Sequence, residues 1–309
     1  MMGRPRVILL DLDGSVATQP GLSALTGAGA AVRLDATDLA PRLRIVASRG
    51  AARSLSARLA PILAGGPPLI FTGSGDFHHV TALFLALLRE RVTVLHFDNH
   101  PDWVRVPPTL NCGSWVNRAL RLAQVDRVVT IGPTGDDLRR PEMKGADLAA
   151  LRAGRHEVHP WRAAETPYWG RRIAAGACRS KGWTLRWDGL EGHPLPAFAE
   201  GLADRLPALP LWITLDKDVL APAEAATNWD QGAMPLDAVL EVIARVARGR
   251  RVLGVDVCGD WSEPRFRDPF RWFLSVTDRD ASLRATPDDL ILNDQTNRRL
   301  VGALGPLLA

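Results

Sequence analysis

Short apolar runs that alternate with segments of helical periodicity are the feature of this sequence that most constrains its fold. The runs predicted to be β-strands are 6–11, 43–47, 68–72, 92–98, 127–132, 210–216 and 251–257. Several are apolar almost throughout, as expected of strands that are covered on both faces of a parallel sheet. The predicted helices are 50–64, 79–90, 113–123, 195–206, 235–248 and 289–308. The alternation predicts right-handed βαβ units and therefore an α/β fold, a three-layer α/β/α sandwich around a mostly parallel sheet.

No shift in composition divides the chain into separate units. Its 309 residues, of which 46% are hydrophobic and 23% charged, are enough to bury one large core. The stretches rich in glycine and proline, such as "AGGPPL" and "RVPPTL", are short enough to be turns. We therefore expect residues 1–309 to form a single domain, with an insertion in the weakly periodic region 133–195.

Charge and cysteine content argue against several classes of protein. The net charge of +4 is small for this length, and no block of five or six like charges occurs, so we expect no nucleic-acid partner. Three widely spaced cysteines do not suggest a disulfide framework. The apolar run before Asp11 is too short for a signal peptide, and no run of 18 apolar residues follows. We expect no membrane partner and a cytoplasmic location.

Residues that can bind metal follow three of the predicted strands. The carboxyl ends of the strands in an open parallel sheet meet at one edge, where ligands bind. One strand leads into "DNHPD", with Asp98, His100 and Asp102, and another into "DKD", with Asp216 and Asp218. A third leads into "GSGDFHH". Residues two apart in extended chain point to the same side, so each of the first two segments can direct its ligands at one point.

Together these segments supply at least four carboxylates and two imidazoles. Carboxylates that are crowded at one edge raise one another's pKa unless cations compensate their charge. Oxygen and nitrogen donors without thiolate favour Mn²⁺, ahead of Fe²⁺, Co²⁺, Ni²⁺ and Zn²⁺. The predicted cofactors are therefore two Mn²⁺ ions that share carboxylates and activate water for hydrolysis.

In residue type, order and spacing, the three segments resemble the motifs of the ureohydrolases, the family of arginase, agmatinase and formiminoglutamase. That family carries a Gly-Gly-Asp-His turn, an Asp-x-His-x-Asp strand end and a Ser-x-Asp-x-Asp strand end, which here read "GSGDFHH", "DNHPD" and "TLDKD". The resemblance spans residues 70 to about 300 and includes "DKDVLAPAEAATNWDQGAMPLDAVLEVI". It implies an arginase-like fold and hydrolysis of a C–N bond at two metal ions.

The resemblance also implies a ligand set. The expected metal ligands are His79, Asp98, His100, Asp102, Asp216 and Asp218. Asp98 and Asp216 would bridge the two ions, and Asp102 would also transfer protons. The histidine of the first motif is ambiguous, because "DFHH" has one residue more than the family's "DH". We prefer His79, since the residues after it read like the helix that follows the family histidine, and keep His78 as the alternative.

Two departures from the family pattern concern proton transfer and substrate recognition. Cys112, in "NCGS", takes the place of a histidine that shuttles protons in the family. Gly259 takes the place of the glutamate that grips the guanidinium in arginases, and Asp260 beside it is a possible substitute. Asp102, Cys112 and Asp260 are therefore the predicted catalytic residues. Lys217, where the family has an apolar residue, needs a partner if it is buried, and we expect a nearby carboxylate.

The resemblance and these departures together predict hydrolysis of a C–N bond in a guanidino, amidino or related linear amide substrate, either a small molecule or a peptide, including an arginine side chain in a peptide. The resemblance further implies a homo-oligomer. Three alternatives stay open: a deacetylase-like amidohydrolase with one zinc ion, a metal-binding protein without turnover, and a phosphatase. The last rests on "VILLDLDGSV", which resembles the first motif of haloacid-dehalogenase-like phosphatases, with Asp11 as nucleophile and Asp13 as acid/base. The later motifs of that superfamily have no well-placed counterpart here.

Overall fold

The computed structural model of the chain describes residues 6–105, 110–263, 266, 268, 271 and 285–308. The strands of its large sheet are β1 (Arg6–Asp11), β2 (Ala31–Asp35), β3 (Pro68–Phe71), β4 (Val92–Phe97), β5 (Val125–Ile131), β6 (His156–His159), β11 (Leu211–Asp216) and β12 (Val252–Cys258). A small antiparallel sheet consists of β7 (Thr166–Pro167), β8 (Ala174–Ala175), β9 (Cys178–Lys181) and β10 (Thr184–Trp187). The order of the large sheet is β2-β1-β3-β12-β11-β4-β5-β6, and its neighbouring strands are parallel.

Helices cover both faces of the large sheet. They are α1 (Pro20–Gly27), α2 (Ala40–Leu43), α3 (Arg49–Leu63), α4 (Thr81–Leu87), α5 (Trp115–Ala119), α6 (Pro141–Lys144), α7 (Leu148–Arg152), α8 (Leu195–Arg205), α9 (Leu236–Val246) and α10 (Pro287–Leu304). Alternate residues of one strand enter different cores: Leu9 joins the cluster beneath α8, α9 and α10, and Leu10 joins the one beneath α3, α4 and α5. The predicted three-layer α/β/α sandwich is confirmed.

The structure corrects one predicted strand and adds two to the large sheet. Residues 43–47 are not a strand, because Ile45 has a positive φ of 61° and its N–H donates to the carbonyl of Asp76. The side chains of this run are buried, and the guanidinium of Arg44 lies 2.6 Å from the Asp76 carboxylate. The apolar pattern therefore reported burial correctly but not the backbone conformation. The strands that the pattern missed are β2, at the edge of the sheet, and β6.

The region 133–195, expected to hold an insertion, contains the small antiparallel sheet. It has its own buried cluster, in which Trp103 packs with Tyr168, Leu185 and Trp187.

None of the helices in the described part of the chain is long and apolar enough to cross a membrane.

The order of the strands determines where the polar segments meet. Strands β3, β12, β11 and β4 are neighbours in the middle of the sheet. Because they are parallel, their carboxyl ends lie at the same edge. The three segments singled out in the sequence follow β3, β11 and β4 and are thereby brought together.

Candidate metal centre

The carboxylate of Asp98 lies at the centre of the buried cluster. Its Oδ2 is 3.0 Å from His78 Nδ1 and 2.9 Å from His96 Nε2. Its Oδ1 is 3.3 Å from His100 Nδ1 and accepts a hydrogen bond from the His100 N–H at 2.6 Å. The two oxygens thus belong to two different groups of possible ligands, one with His78, His96 and Asp102 and one with His100 and Asp218.

The structure corrects the choice between the two histidines of "GDFHH". The nitrogen that faces the carboxylates belongs to His78, whereas both ring nitrogens of the buried His79 lack a hydrogen-bond partner among the described residues. Gly75–Val80 is a 3₁₀ helix, in which successive side chains are about 120° apart, so only one of two adjacent histidines can face the cluster. Burial, with His78 and Arg271 nearby, lowers the pKa of His79 to about 3.

Hydrogen bonds on its far side orient His78. The Thr214 hydroxyl donates to Asp256 at 2.8 Å, so its oxygen is free to accept from His78 Nε2–H at 2.9 Å. That assignment leaves Nδ1 as the nitrogen that faces Asp98 and Asp102, which is 3.3 Å away. Thr214 and Asp256 were not among the predicted site residues, although the threonine lies within the "TLDKD" motif.

His100 is held in the same way by a residue that the sequence did not single out. His100 Nδ1 lies 3.0 Å from Asp218 Oδ2, and its Nε2 lies 2.9 Å from Asp230 Oδ1. A carboxylate behind a histidine fixes the tautomer in which the other nitrogen is available to a metal. Although burial opposes protonation, Asp218, Asp230 and Asp98 raise the pKa of His100 well above its usual range. The raised pKa reflects the carboxylates that surround His100 on both of its ring nitrogens.

Replacing Asp230 by Ala should weaken the binding of a divalent metal ion, with Mn²⁺ as the probe, by about tenfold. The loss of a carboxylate behind a ligand histidine typically lowers metal affinity ten- to a hundredfold, and the solvent exposure of Asp230 places it at the lower end. The matched control is Asp136→Ala, which removes an exposed carboxylate from the same cavity. Competition with a coloured chelator measures both affinities. Equal affinities of the two variants would contradict the assigned role of Asp230.

Asp102, one of the predicted catalytic residues, lies within the buried cluster. Its Oδ2 accepts a hydrogen bond from the indole N–H of Trp115 at 2.5 Å, and its backbone has a positive φ of 47°. Burial and the neighbouring Asp98 raise the pKa of Asp102 to about 8. Burial, Asp216 and Asp98 likewise raise the pKa of Asp218 well above its usual range. Burial is the largest cause of both shifts, and repulsion among the crowded carboxylates adds to it.

Cys258, at the end of β12, adds a thiol to the cluster. Its Sγ lies 3.1 Å from Asp216 Oδ2, which is itself 3.6 Å from His78 Nδ1. Burial and Asp216 raise the pKa of Cys258 well above its usual range. The thiol therefore keeps its proton and donates to Asp216.

The cluster fits the metal ions that the resemblance implies. Ligands at right angles on one ion, each about 2.1 Å from it, stand about 3 Å apart. The nitrogen and oxygen atoms around His78 and His100 have this spacing. Two histidine lone pairs directed at carboxylates repel them unless a proton or a cation lies between, and His78 and His100 are both placed in this way.

A cavity of about 480 Å³ opens onto the cluster. The possible ligands form its floor, and its walls include Ile45, Val104, Asn111, Cys112, Trp229, Asp136, Asp137, Lys144 and Asp230. Cys112 therefore lies where the sequence places it, beside the site. Burial and Asp102 raise the pKa of its thiol, so Cys112 is neutral and is not poised to accept a proton.

The structure corrects the assignment of Asp260 to the pocket. Asp260 is buried and forms an ion pair with Lys217, whose Nζ lies 2.5 Å from its Oδ1. The expected partner of Lys217 is thereby identified. A side chain on Gly259, which has a φ of 89°, would overlap Asp216 Oδ1, so neither position after β12 directs a carboxylate into the cavity.

The phosphatase-like segment is engaged in structural contacts. Asp11 is buried and accepts two hydrogen bonds from Arg33, at 3.0 and 2.5 Å, and one from the Gly14 N–H. Asp13 accepts hydrogen bonds from the N–H groups of Ser15 and Ser74. It lines a separate cavity of about 730 Å³ between this loop and α10, which contains none of the predicted ligands. A carboxylate that is bound in this way is not an available nucleophile.

Solved structures of known enzymes share this architecture. Arginase from Bacillus cereus aligns with a TM-score of 0.60 at 13% identity, covering 99% of both chains. Formimidoylglutamase from Bacillus subtilis aligns at 0.61 and 15%, covering 99% of this chain and 87% of its own. Proclavaminate amidino hydrolase from Streptomyces clavuligerus aligns at 0.58 and 15%, covering 99% and 93%. The chain has the ureohydrolase fold. The predicted arginase-like fold is confirmed.

Comparison of the sequence with known proteins gives weaker matches than comparison of the structure does. No protein-family model matches the chain. A Thermotoga maritima protein described as "Uncharacterized protein" is 24% identical over 190 residues, which is 62% of this chain and 57% of the relative. The match thus spans little more than half the length of that relative. At these identities, the comparisons establish the ureohydrolase fold.

Proposed function

We propose that the chain is a divergent ureohydrolase, a hydrolase with two metal ions that cleaves a C–N bond of a guanidino, amidino or related linear amide substrate. The observation that carries the proposal is the position of Asp98, whose two oxygens face two separate histidines. A carboxylate shared in this way is what a pair of metal ions requires. The ureohydrolase fold adds support, because the neighbours named above include an arginase and an amidino hydrolase.

Two divalent ions, Mn²⁺ foremost, would polarise the planar carbon centre of the substrate and lower the pKa of a water molecule. The residues of the chain hold and orient the reactants. His78 and His100 are fixed by hydrogen bonds on their far sides. Asp102, held by the indole of Trp115, is the residue in place to accept a proton and return it to the leaving amine.

The walls of the cavity favour a substrate with positive charge. Above the possible ligands, the lining has the carboxylates of Asp136, Asp137 and Asp230 and one ammonium group, that of Lys144, and a lining with net negative charge attracts cations. Neither Gly259 nor Asp260 directs a carboxylate into the cavity, so the glutamate that binds the guanidinium group in arginases has no counterpart at this strand end. A guanidino group on a larger molecule, such as an arginine side chain in a peptide, suits the proposal better than free arginine does.

Metal analysis combined with a substrate panel tests the proposal. The purified chain, dialysed against Mn²⁺, should retain two ions per chain. It should then release urea or ammonia from at least one member of a panel of guanidino and amidino compounds, including an arginine-containing peptide, and EDTA should stop this release. If two ions are bound and no compound of the panel releases urea or ammonia, the result would favour a metal-binding protein without turnover.

The number of metal ions per chain also distinguishes the proposed function from its nearest alternative. A deacetylase-like amidohydrolase requires one zinc ion, so a single ion per chain together with release of acetate from an acetylated amine would replace the present proposal. The separate oxygens of Asp98 favour two ions, because a single ion would leave one of the two groups of possible ligands unused.

A further inference from the structure

The segment that carries two of the proposed metal ligands also carries a fully buried lysine. Asp216 ends β11, and Lys217–Val219 is a 3₁₀ turn, so Lys217 lies between Asp216 and Asp218. The side chain of Lys217 has 0% exposure, and its ammonium group contacts Asp260, whose side chain is 1% exposed. Removing two charges from water costs free energy that their attraction barely repays, so a buried pair is weak evidence for a role in stability.

Both members of this pair are attached to the ends of neighbouring strands. The backbone of Gly259, one residue before Asp260, lies so close to Lys217 N that a Cβ there would be 2.5 Å away. The Asp260 N–H donates to the carbonyl of Gly73, in the loop after β3. The ion pair therefore joins the end of β11 to the end of β12 and, through Gly73, to the segment that leads to His78.

The carboxylate of Asp260 is itself fixed from the other side. It accepts hydrogen bonds from Gln19 Nε2 at 2.8 Å and from Asn297 Nδ2 at 3.1 and 3.2 Å. Gln19 precedes α1, and Asn297 lies within α10. The ammonium group of Lys217 thus contacts Asp260 and not the cluster of possible metal ligands. Three other parts of the chain hold Asp260 in place.

The ligands on either side of Lys217 point the other way. Asp218 Oδ1 accepts from the Asn99 N–H at 3.0 Å, and its Oδ2 faces His100 Nδ1 at 3.0 Å. Asp216 Oδ1 accepts from the Asp218 N–H at 3.1 Å. Rotation of this short segment about its axis would move Lys217 and both carboxylates together. We propose that Lys217 and Asp260 form a positioning pair, which holds Asp216 and Asp218 in the orientation that binds metal.

This inference rests on the proposed metal site, and its test measures metal binding directly. Lys217→Met keeps most of the side-chain volume and removes the charge, and Asp260→Asn removes the charge of the partner. Both should raise the dissociation constant for Mn²⁺ roughly ten- to a hundredfold, as expected of residues that orient metal ligands. Asp260→Asn carries the same test if Lys217→Met does not fold.

The control separates positioning from loss of stability. Leu55→Ala opens a space in the core beneath α3, outside the lining of the cavity, and lowers the melting temperature measured in EDTA. It should leave the dissociation constant for Mn²⁺ within twofold of the wild type. If Lys217→Met and Asp260→Asn also lower only the melting temperature, the pair is structural and the inference is overturned. If the wild-type chain binds no Mn²⁺, the proposed function itself fails and the inference falls with it.

Discussion

Replacing Asp98 by Asn should abolish the binding of both metal ions and, with it, hydrolysis. One oxygen of Asp98 faces His78 and the other faces His100, so the substitution removes negative charge from both groups of ligands at once. Loss of residues that merely orient ligands costs ten- to a hundredfold in metal affinity, and a shared ligand should cost at least about a hundredfold. Metal content after gel filtration and release of urea or ammonia measure the two effects.

A matched control for this variant is Asp11→Asn, which changes another buried aspartate at the carboxyl end of a strand of the same sheet. Asp11 forms an ion pair with Arg33 and lies outside the groups of possible metal ligands. This variant should therefore have a lower stability and an unchanged metal content. The pair of variants also decides the phosphatase alternative, in which Asp11 would be the nucleophile. Retention of two ions by Asp98→Asn, or loss of catalysis in an Asp11→Asn variant that still binds metal, would contradict the proposed site.

The sequence was sufficient to predict which strand ends meet. Continuous apolar runs indicated a parallel sheet, and in such a sheet the carboxyl ends of the central strands share one edge. Asp98, His100 and Asp102 could therefore be placed near Asp216 and Asp218 without knowledge of the strand order. The edge strand β2 was missed because three of its five residues are exposed and it lacks an apolar run.

Side-chain direction at the strand ends was harder to predict. Spacing along the chain could not distinguish His78 from His79, because the choice depends on the 3₁₀ geometry of Gly75–Val80. Asp260 was expected to replace an absent glutamate because it is adjacent in sequence. Adjacent residues here point in different directions, and Asp260 faces Lys217 rather than the cavity.

Asp230 was missed for a different reason. It lies in an irregular loop well beyond the paired aspartates, where neither periodicity nor a motif indicates which side chain returns to the site. Only the folded chain places its carboxylate 2.9 Å from His100 Nε2. The one available signal was the presence of an aspartate in the segment that resembles the ureohydrolases.

Introducing the arginase-like glutamate, by Gly259→Glu, should damage the site rather than restore a guanidinium grip. Gly259 has a φ of 89°, and a Cβ there would overlap Asp216 Oδ1. Strain at a positive φ costs about 1–3 kcal/mol, and forcing atoms into a packed site costs about 1–3 kcal/mol more. The sum is a large share of a typical stability of about 5–15 kcal/mol.

A comparison with Gly249→Glu separates the effect of the contact with Asp216 from the effect of backbone strain at a positive φ. Gly249 has a φ of 71°, and a Cβ there meets nothing within 4 Å, so this variant should lose stability without losing metal. Gly259→Glu should lose both, because Asp216 cannot keep its place. Chemical unfolding in EDTA and metal content distinguish the two variants. If Gly259→Glu instead kept its metal and gained activity on free arginine, the backbone at this position would be able to accommodate the glutamate, and substrate recognition would depend on residue 259 alone. The close approach of Gly259 to Asp216 predicts the opposite outcome, so under the proposed function a guanidino group would be bound by other residues of the cavity.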